Sequence, residues 1–199
     1  MIAVDVEASG LDFKKHSILS IGAVDLENPD RQFYGECRVW EGGEISDEAL
    51  VVNGFTKEEA TDPNKQSEAE LIRAFLEWTQ HMGNRTLLGQ NVSFDRDMLK
   101  NAAERAKLSW DMAHRTIDTH TLCVMHIVKS GKDIPLDPQR RRSALDLDAI
   151  LVYCGIPEEP TPHNALTGAK SHAEVAYRLL YDKKLLPDFA QFDIPWLAN

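Results

Sequence analysis

The chain has 199 residues, with 22 Lys and Arg against 32 Asp and Glu, a formal net charge of −10. That length fits one domain of roughly 100–200 residues with a full core, and 43% apolar with 27% charged residues excludes wholesale disorder. The acidic balance excludes a broad basic surface for gripping duplex DNA, so any contact with nucleic acid has to be local. Cys37, Cys123 and Cys154 are widely spaced with no CxxC pair; they fit core thiols of a reducing compartment, not a disulfide frame or a zinc site. No apolar run approaches the roughly 18 residues of a membrane span, and Met1-Ile2-Ala3-Val4-Asp5 lacks the basic and apolar regions of a signal peptide. The expectation is a single domain over residues 1–199, soluble, cytoplasmic and off the membrane.

Residues 2–6 are a short β-rich run interrupted only by Asp5 and read as a strand. Residues 17–26 and 32–40 read as two more, parted by the turn-rich Glu27-Asn28-Pro29-Asp30, so an antiparallel meander is expected. Then the period changes. Leu71, Ile72, Phe75, Leu76 and Thr79 recur at helical spacing, opened by a capping box of Ser67 and Glu70 and stopped at Gly83-Asn84. A strand follows at 86–89, a helix from about Phe94 to Ala106, a strand at 115–118 and a helix at 122–128. Residues 143–153 read as a helix ended by Gly155 and Pro157. A last helix, from about Leu166 to Asp182, sets Ala169, Ala173, Ala176, Tyr177 and Leu180 on one face. Strands first, then alternating β and α, imply an α/β fold with a mixed sheet covered by helices. The loop 133–142 has two prolines and the run Arg140-Arg141-Arg142, which charge patterning alone leaves as a solvated loop or a local polyanion contact.

Asp5 and Glu7 resist an ordinary core reading. In a strand, residues i and i+2 share a face with Cα atoms roughly 6.5–7 Å apart, so the two carboxylates stand side by side while Val4 and Val6 face the other way. Neighbouring anions near a core persist if a cation neutralises them or one is protonated; otherwise the strand end reaches solvent there. The second cluster is Asn91-Val92-Ser93-Phe94-Asp95, where Ser93 is placed to cap a helix and Asp95 falls in its first turn. The helix dipole favours a carboxylate there on its own account. The third is Pro162-His163-Asn164-Ala165, ahead of the last helix; a lone loop histidine is ordinarily solvated or structural.

In this order the three clusters resemble the motifs of the DnaQ-like DEDDh 3′–5′ exonuclease superfamily, which includes the proofreading subunit of bacterial DNA polymerase, ribonuclease T and oligoribonuclease. The run Ile2-Ala3-Val4-Asp5-Val6-Glu7-Ala8-Ser9-Gly10-Leu11 is similar to the first motif, with Ser9 where Thr is common. Residues 18–24, Val52-Asn53-Gly54-Phe55, Leu88-Gly89-Gln90-Asn91, Ile117-Asp118-Thr119 and the helix at 143–154 also have counterparts, so the resemblance covers residues 2 to about 180. It implies a ribonuclease H-like fold: a central five-stranded mixed sheet, three strands antiparallel, flanked by helices. It also implies a metal-dependent exonuclease that hydrolyses phosphodiesters at single-stranded DNA or RNA 3′ ends and releases nucleoside 5′-monophosphates. Two Mg²⁺ or Mn²⁺ ions would stabilise the incoming and departing oxygens of an in-line displacement, and such hard ions need oxygen ligands. On this resemblance Asp5 bridges both ions, Glu7 holds the catalytic one, and Asp95 supports the site directly or through water. His163 is the general base, a role suited to an imidazole pKa of about 6.5. Ser9 and Leu11 would contact the terminal nucleotide, Leu11 against the base, with Asn91 and Phe94 also in the substrate-binding set. Arg140, Arg141 and Arg142 would add a backbone contact, as in single-strand readers. Several members are homodimers; nothing in this sequence marks a dimer face.

One signature acid is missing. The third motif carries an aspartate five residues after its histidine, and that position here is Gly168, between the matching flanks Ala165-Leu166 and Ala169-Lys170. A one-residue shift brings no acid into place, because Thr167 and Ala169 are not carboxylates. Three explanations stay open: a lapsed nuclease that keeps nucleic-acid binding, a deliberate removal that traps a substrate complex, or a substitute group. His172, one turn along, is the candidate substitute, although a turn is about 5.4 Å of reach and imidazole suits Mn²⁺ better than Mg²⁺. An aspartate restored at 168 is expected to fold at least as well and to complete the ligand set. The alternative to an exonuclease is an impaired module of the same fold that binds nucleic-acid ends or a protein partner.

Overall fold

A computed structural model describes residues 1–198. In chain order they form β1 (Ile2–Ala8), β2 (Ile18–Asp25), β3 (Gln32–Glu36), α1 (Asp47–Asn53), α2 (Lys57–Ala60), α3 (Glu68–Thr79), β4 (Leu87–Gly89) and α4 (Ser93–Arg105). There follow β5 (Ile117–Asp118), α5 (Thr119–Lys129), β6 (Leu136–Asp137), β7 (Arg142–Ser143), α6 (Leu147–Tyr153), α7 (Ala165–Tyr181) and a 3-10 turn at Pro187–Phe189. The main sheet has the order β3-β2-β1-β4-β5. Its first three strands are antiparallel, while β4 runs parallel to β1 and β5 parallel to β4. This is the five-stranded mixed sheet that the sequence predicts.

β1 is central, and its alternation sorts the two faces. Ile2, Val4 and Val6 pack on one side in a cluster with Leu71, Ile72 and Phe75 of α3 and Met98, Leu99 and Ala102 of α4. Each large side chain buried there is worth about 1.5–3 kcal/mol. Ala3 faces the other way and packs with Leu88 against Ala169, Ala173 and Ala176 of α7. Small residues on both surfaces let α7 come close to the sheet. Gly22 of β2 shows how close: a Cβ there would overlap the Ala165 carbonyl. Gly22 is the direct cross-strand partner of Asp5, so the same approach lays the start of α7 over the acidic end of β1. On the opposite side the buried Glu68 carboxylate ties the helices to β2. It accepts from the Ser17 hydroxyl and Ile18 N–H and pairs with Arg105 through two contacts of 2.9 Å.

Several sequence expectations shift. The third strand ends at Glu36 instead of running to 40, because Arg38 and Val39 turn their N–H groups to Gln66 and Ala60. The helix read at 143–153 starts at Leu147, with Asp146 as its cap, while Ser143 belongs to the β6–β7 ribbon. Ser93 does not cap α4; it is the first helical residue, preceded by Val92 with no side-chain cap bond. The helix read at 122–128 begins at Thr119, capped by Asp118. α1 and α2 escaped the periodicity reading because they are short and Val51 and Val52 of α1 point outward. All three cysteines are buried and unpaired. Among the described residues no helix is long and apolar enough to cross a membrane.

Candidate active site

The acids sit where the pairing of β1 with β4 runs out, while β1 stays paired with β2. β4 pairs with β1 only as far as Ala3, which leaves the Val6 N–H without a strand partner. Asp95, buried in the first turn of α4, accepts that N–H at 3.0 Å through Oδ1. Its carboxylate thereby joins α4 to β1 next to Asp5 and Glu7. His163 is positioned from the opposite side. Its N–H donates to the Val52 carbonyl at 3.3 Å, and the preceding Pro162 rests on Gly54, the left-handed C-cap of α1 (φ 74°). A Cβ at Gly54 would come within 2.5 Å of the Pro162 ring, so glycine is needed both for the backbone angle and for the approach. Asn164 then caps α7, accepting from the Leu166 and Thr167 N–H groups at 3.0 and 3.3 Å. Its amide donates to the Tyr34 hydroxyl, which donates to Glu36 at 2.6 Å.

Asp5, Glu7, Asp95 and His163, predicted from three distant stretches of sequence, line one pocket of about 250 Å³. Gln90, Asn91 and Phe94 line it too. So do two side chains outside the expected motif set, Glu159 and His172, and among the described residues no lysine or arginine does. Glu159 comes from the loop ahead of His163, its side chain only 4% exposed and its Oε2 4.0 Å from His163 Nδ1. No spacing distinguishes it in the sequence from the exposed Glu158 beside it. His172 is 2% exposed, with Nε2 3.7 Å from Asp5 Oδ1, so the reach that counted against it from sequence is met.

Gly168 meets its position differently from the sequence expectation. A Cβ at 168 would overlap Asp5 Oδ2 and lie 2.7 Å from Asp5 Cγ. The Asp5 carboxylate thus occupies the room in which a side chain at 168 would begin. An aspartate there requires Asp5 to swing away and adds a like charge beside it, a cost that the sequence expectation of equal folding leaves out.

The substrate-binding set divides. Leu11 is 83% exposed and free to meet a ligand. Asn91 is exposed, with a left-handed backbone (φ 49°), and Phe94 is half-buried against the core. Ser9 is corrected: it is fully buried, its hydroxyl donating to the Glu44 carbonyl and accepting the Ser17 N–H. Nothing of that side chain is left for a nucleotide. Arg140 and Arg142 line a neighbouring groove with His120 and Asp146, joined to the carboxylate pocket through Leu145, whose carbonyl accepts from Gln90. Arg140 lies 3.7 Å from Asp137, and Arg141 occupies the ribbon turn (φ 54°).

Burial and the neighbouring charges, with no Lys or Arg in the described lining, raise the proton affinity of Glu7, Asp95 and Glu159. Burial, then the charges of Asp5 and Glu159, push Glu7 up to about 8. Burial and Asp5 raise Asp95 well above the usual range, against the opposing Val6 N–H. Burial and Asp5 also raise Glu159, with His163 and His172 pulling the other way. For Glu7 the folded state holds the proton more tightly than the unfolded state, whose carboxyl titrates near 4.5. Its ionisation therefore costs nothing below about pH 4.5 and its full amount above about pH 8, so stability falls as pH rises between them. At about 1.4 kcal/mol per tenfold change in proton affinity, the cost is on the order of 5 kcal/mol. Glu7→Gln without divalent ions should accordingly gain on the unaltered chain in urea midpoint from pH 5 to pH 8; a constant difference would refute this origin.

Hard oxygen donors, partly dehydrated and short of positive charge, are the chemistry that suits Mg²⁺ or Mn²⁺. Among the described residues no three His, Cys, Asp or Glu side chains are already gathered into a coordination set. The donors share a pocket without converging. Their character fits a divalent ion, and the repulsion they carry is what such an ion would relieve.

A central mixed sheet with acids at the end of β1, an acid in the first turn of α4 and a histidine ahead of α7 defines the DEDDh exonuclease class. The sequence model of the exonuclease family matches residues 2–176, and the chain belongs to that family. Among curated relatives, ribonuclease T of Hahella chejuensis is 30% identical over 179 residues, covering 78% of this chain and 82% of the relative. Ribonuclease T of Cronobacter sakazakii is 26% identical over 184 residues, covering 78% and 80%. Among solved structures, E. coli exonuclease I in complex with a dA16 oligonucleotide superimposes with a TM-score of 0.71 at 16% identity, over 92% of this chain. This chain spans only 40% of that one. The nuclease domain of 3′hExo, a DEDDh family member bound to rAMP, gives 0.66 at 16% identity and covers 93% of both chains. At such identities the structural likeness shows the shared fold.

Proposed function

We propose that this chain is a metal-dependent 3′–5′ exonuclease that hydrolyses the terminal phosphodiester of single-stranded DNA or RNA and releases nucleoside 5′-monophosphates. The observation that carries the reading is that Asp5, Glu7, Asp95 and His163 line one pocket in which, among the described residues, no lysine or arginine takes part. The ribonuclease T relatives and the oligonucleotide bound to exonuclease I support the substrate class. Two divalent ions, when bound, supply the positive charge that meets the phosphate and the departing oxygen. Asp5 and Glu7 would hold them, with Asp95 in support. Asp95 also fixes α4 to β1 through the Val6 N–H, which keeps the acids in register. His163 takes the proton of the attacking water. Its Nδ1 faces Glu159, which leaves Nε2 to accept that proton. The exposed Leu11 stands ready to pack against the terminal base.

The test uses 5′-labelled oligonucleotides in Mg²⁺ and in Mn²⁺. A free 3′-hydroxyl should give a ladder shortening from the 3′ end with 5′-monophosphate products, and a 3′-blocked strand should resist. Equal degradation of blocked and free strands would refute the direction of attack. No hydrolysis in either metal, with oligonucleotide binding retained, would favour the non-catalytic module to which Gly168 points.

A further inference from the structure

Building on the exonuclease reading above, we propose that Glu159 supplies the carboxylate missing at Gly168 and is a ligand of a divalent cation bound beside Asp5. The Glu159 side chain is only 4% exposed, yet its Oε1 has no hydrogen-bond partner among the described residues. A buried carboxylate oxygen left unsatisfied is costly and rare in folded proteins. It persists where something absent from the bare chain completes it. The side chain lines the pocket that holds Asp5, Glu7 and Asp95.

The second observation is spatial. Because Asp5 itself occupies the room above Gly168, a further acid cannot enter from α7 without displacing it. Glu159 enters from the loop ahead of α7. That loop is fixed on either side of the pocket: the Glu159 N–H donates to Asp148 Oδ1 at 3.1 Å, and the His163 N–H to the Val52 carbonyl. The acid lost from the helix is replaced by one from the loop that leads into it. His172 is the rival, buried with Nδ1 also unpartnered. Its Nε2, however, faces the Asp5 carboxylate at 3.7 Å, and a nitrogen donor suits Mn²⁺ but is a poor choice for Mg²⁺. Glu159 is an oxygen donor that suits both.

The experiment measures Mn²⁺ and Mg²⁺ binding by calorimetry, with melting temperatures in the presence and absence of each ion. It compares the unaltered chain with Glu159→Gln and with the exposed control Glu158→Gln. Glu159→Gln should weaken binding of both ions by about tenfold or more and lose most of the metal-induced rise in melting temperature. Its metal-free melting temperature should hold or rise, because a repelling charge has gone. Glu158→Gln should match the unaltered chain. Unchanged affinity in Glu159→Gln overturns the assignment and leaves the exonuclease reading standing, and so does a lowered metal-free melting temperature with unchanged affinity. Loss of Mn²⁺ binding alone, with Mg²⁺ retained, also overturns it. An unaltered chain that takes up no divalent ion overturns both readings. Should Glu159→Gln not fold, Glu159→Asp, which keeps the charge and shortens the reach, has to show the same weakening.

Discussion

Asp5→Asn is expected to abolish divalent-ion uptake at the pocket and to slow 3′-end hydrolysis by roughly 10³-fold, equivalent to about 4 kcal/mol of transition-state stabilisation. Asp5 is the group that the other members of the site share. Its charge contributes to the raised proton affinity of Glu7, Asp95 and Glu159, it faces His172, and its carboxylate lies over Gly168. Asparagine keeps the volume, so the contact with Gly168 survives and the fold is not the variable under test. Removing the charge also lowers the repulsion among the remaining acids. The metal-free variant should therefore melt no lower than the unaltered chain near pH 8 while responding to neither Mg²⁺ nor Mn²⁺. Calorimetry with Mn²⁺ and a single-turnover assay on a labelled oligonucleotide check the two halves. A variant that still binds divalent ions with unchanged affinity would remove Asp5 from the residues that would hold them.

Asp5 and Glu7 stand out because strand alternation sets two acids on one face of an apolar run, a pattern that a strand end reaching solvent also explains until the other clusters are added. Asp95 and His163 were legible only through their order and the family resemblance; taken singly, a first-turn aspartate and a loop histidine carry ordinary structural explanations. What the sequence withheld has physical reasons. α1, which supports His163 through Val52 and Gly54, is short and turns Val51 and Val52 outward, so it lacks the apolar stripe from which helices are read. Ser9 follows the first motif as a substrate-contacting residue would, yet its hydroxyl is consumed by Glu44 and Ser17, whose positions no local pattern reveals. Glu159 sits among Pro157, Glu158 and Pro160, a composition that reads as solvated loop. The consequence of Gly168 was half-legible: the missing acid could be counted, but the occupation of its space by Asp5 needed coordinates.

Arg178→Ala is expected to destabilise the fold by about 3–5 kcal/mol, the range for leaving a buried charge without its partner. In the sequence Glu174 and Arg178 are an i, i+4 pair of the kind that usually decorates a helix surface for a few tenths of a kcal/mol. In the fold both are completely buried. Arg178 donates to Glu174 at 2.8 Å and to the carbonyls of Cys154, Asp193, Phe189 and Phe192 at 2.9 to 3.2 Å. The other Glu174 oxygen accepts the Leu185 and Leu186 N–H groups at 2.9 and 2.8 Å. One ion pair thus fastens the end of α6 and the segment after α7 onto the helix that starts beside Asp5. Alanine at 178 strands the Glu174 charge and four carbonyl oxygens together. Denaturant unfolding should show the loss as a lower midpoint, while residual hydrolysis in Mg²⁺ at temperatures where the variant remains folded should stay within a fewfold of the unaltered chain, since Arg178 touches none of the pocket acids. The double variant Glu174→Gln/Arg178→Met, which removes both charges, should recover part of the stability. A single variant that costs less than about 1 kcal/mol, the value of an exposed pair, would show that water replaces the guanidinium and that the C-terminal segment is held by its apolar contacts instead.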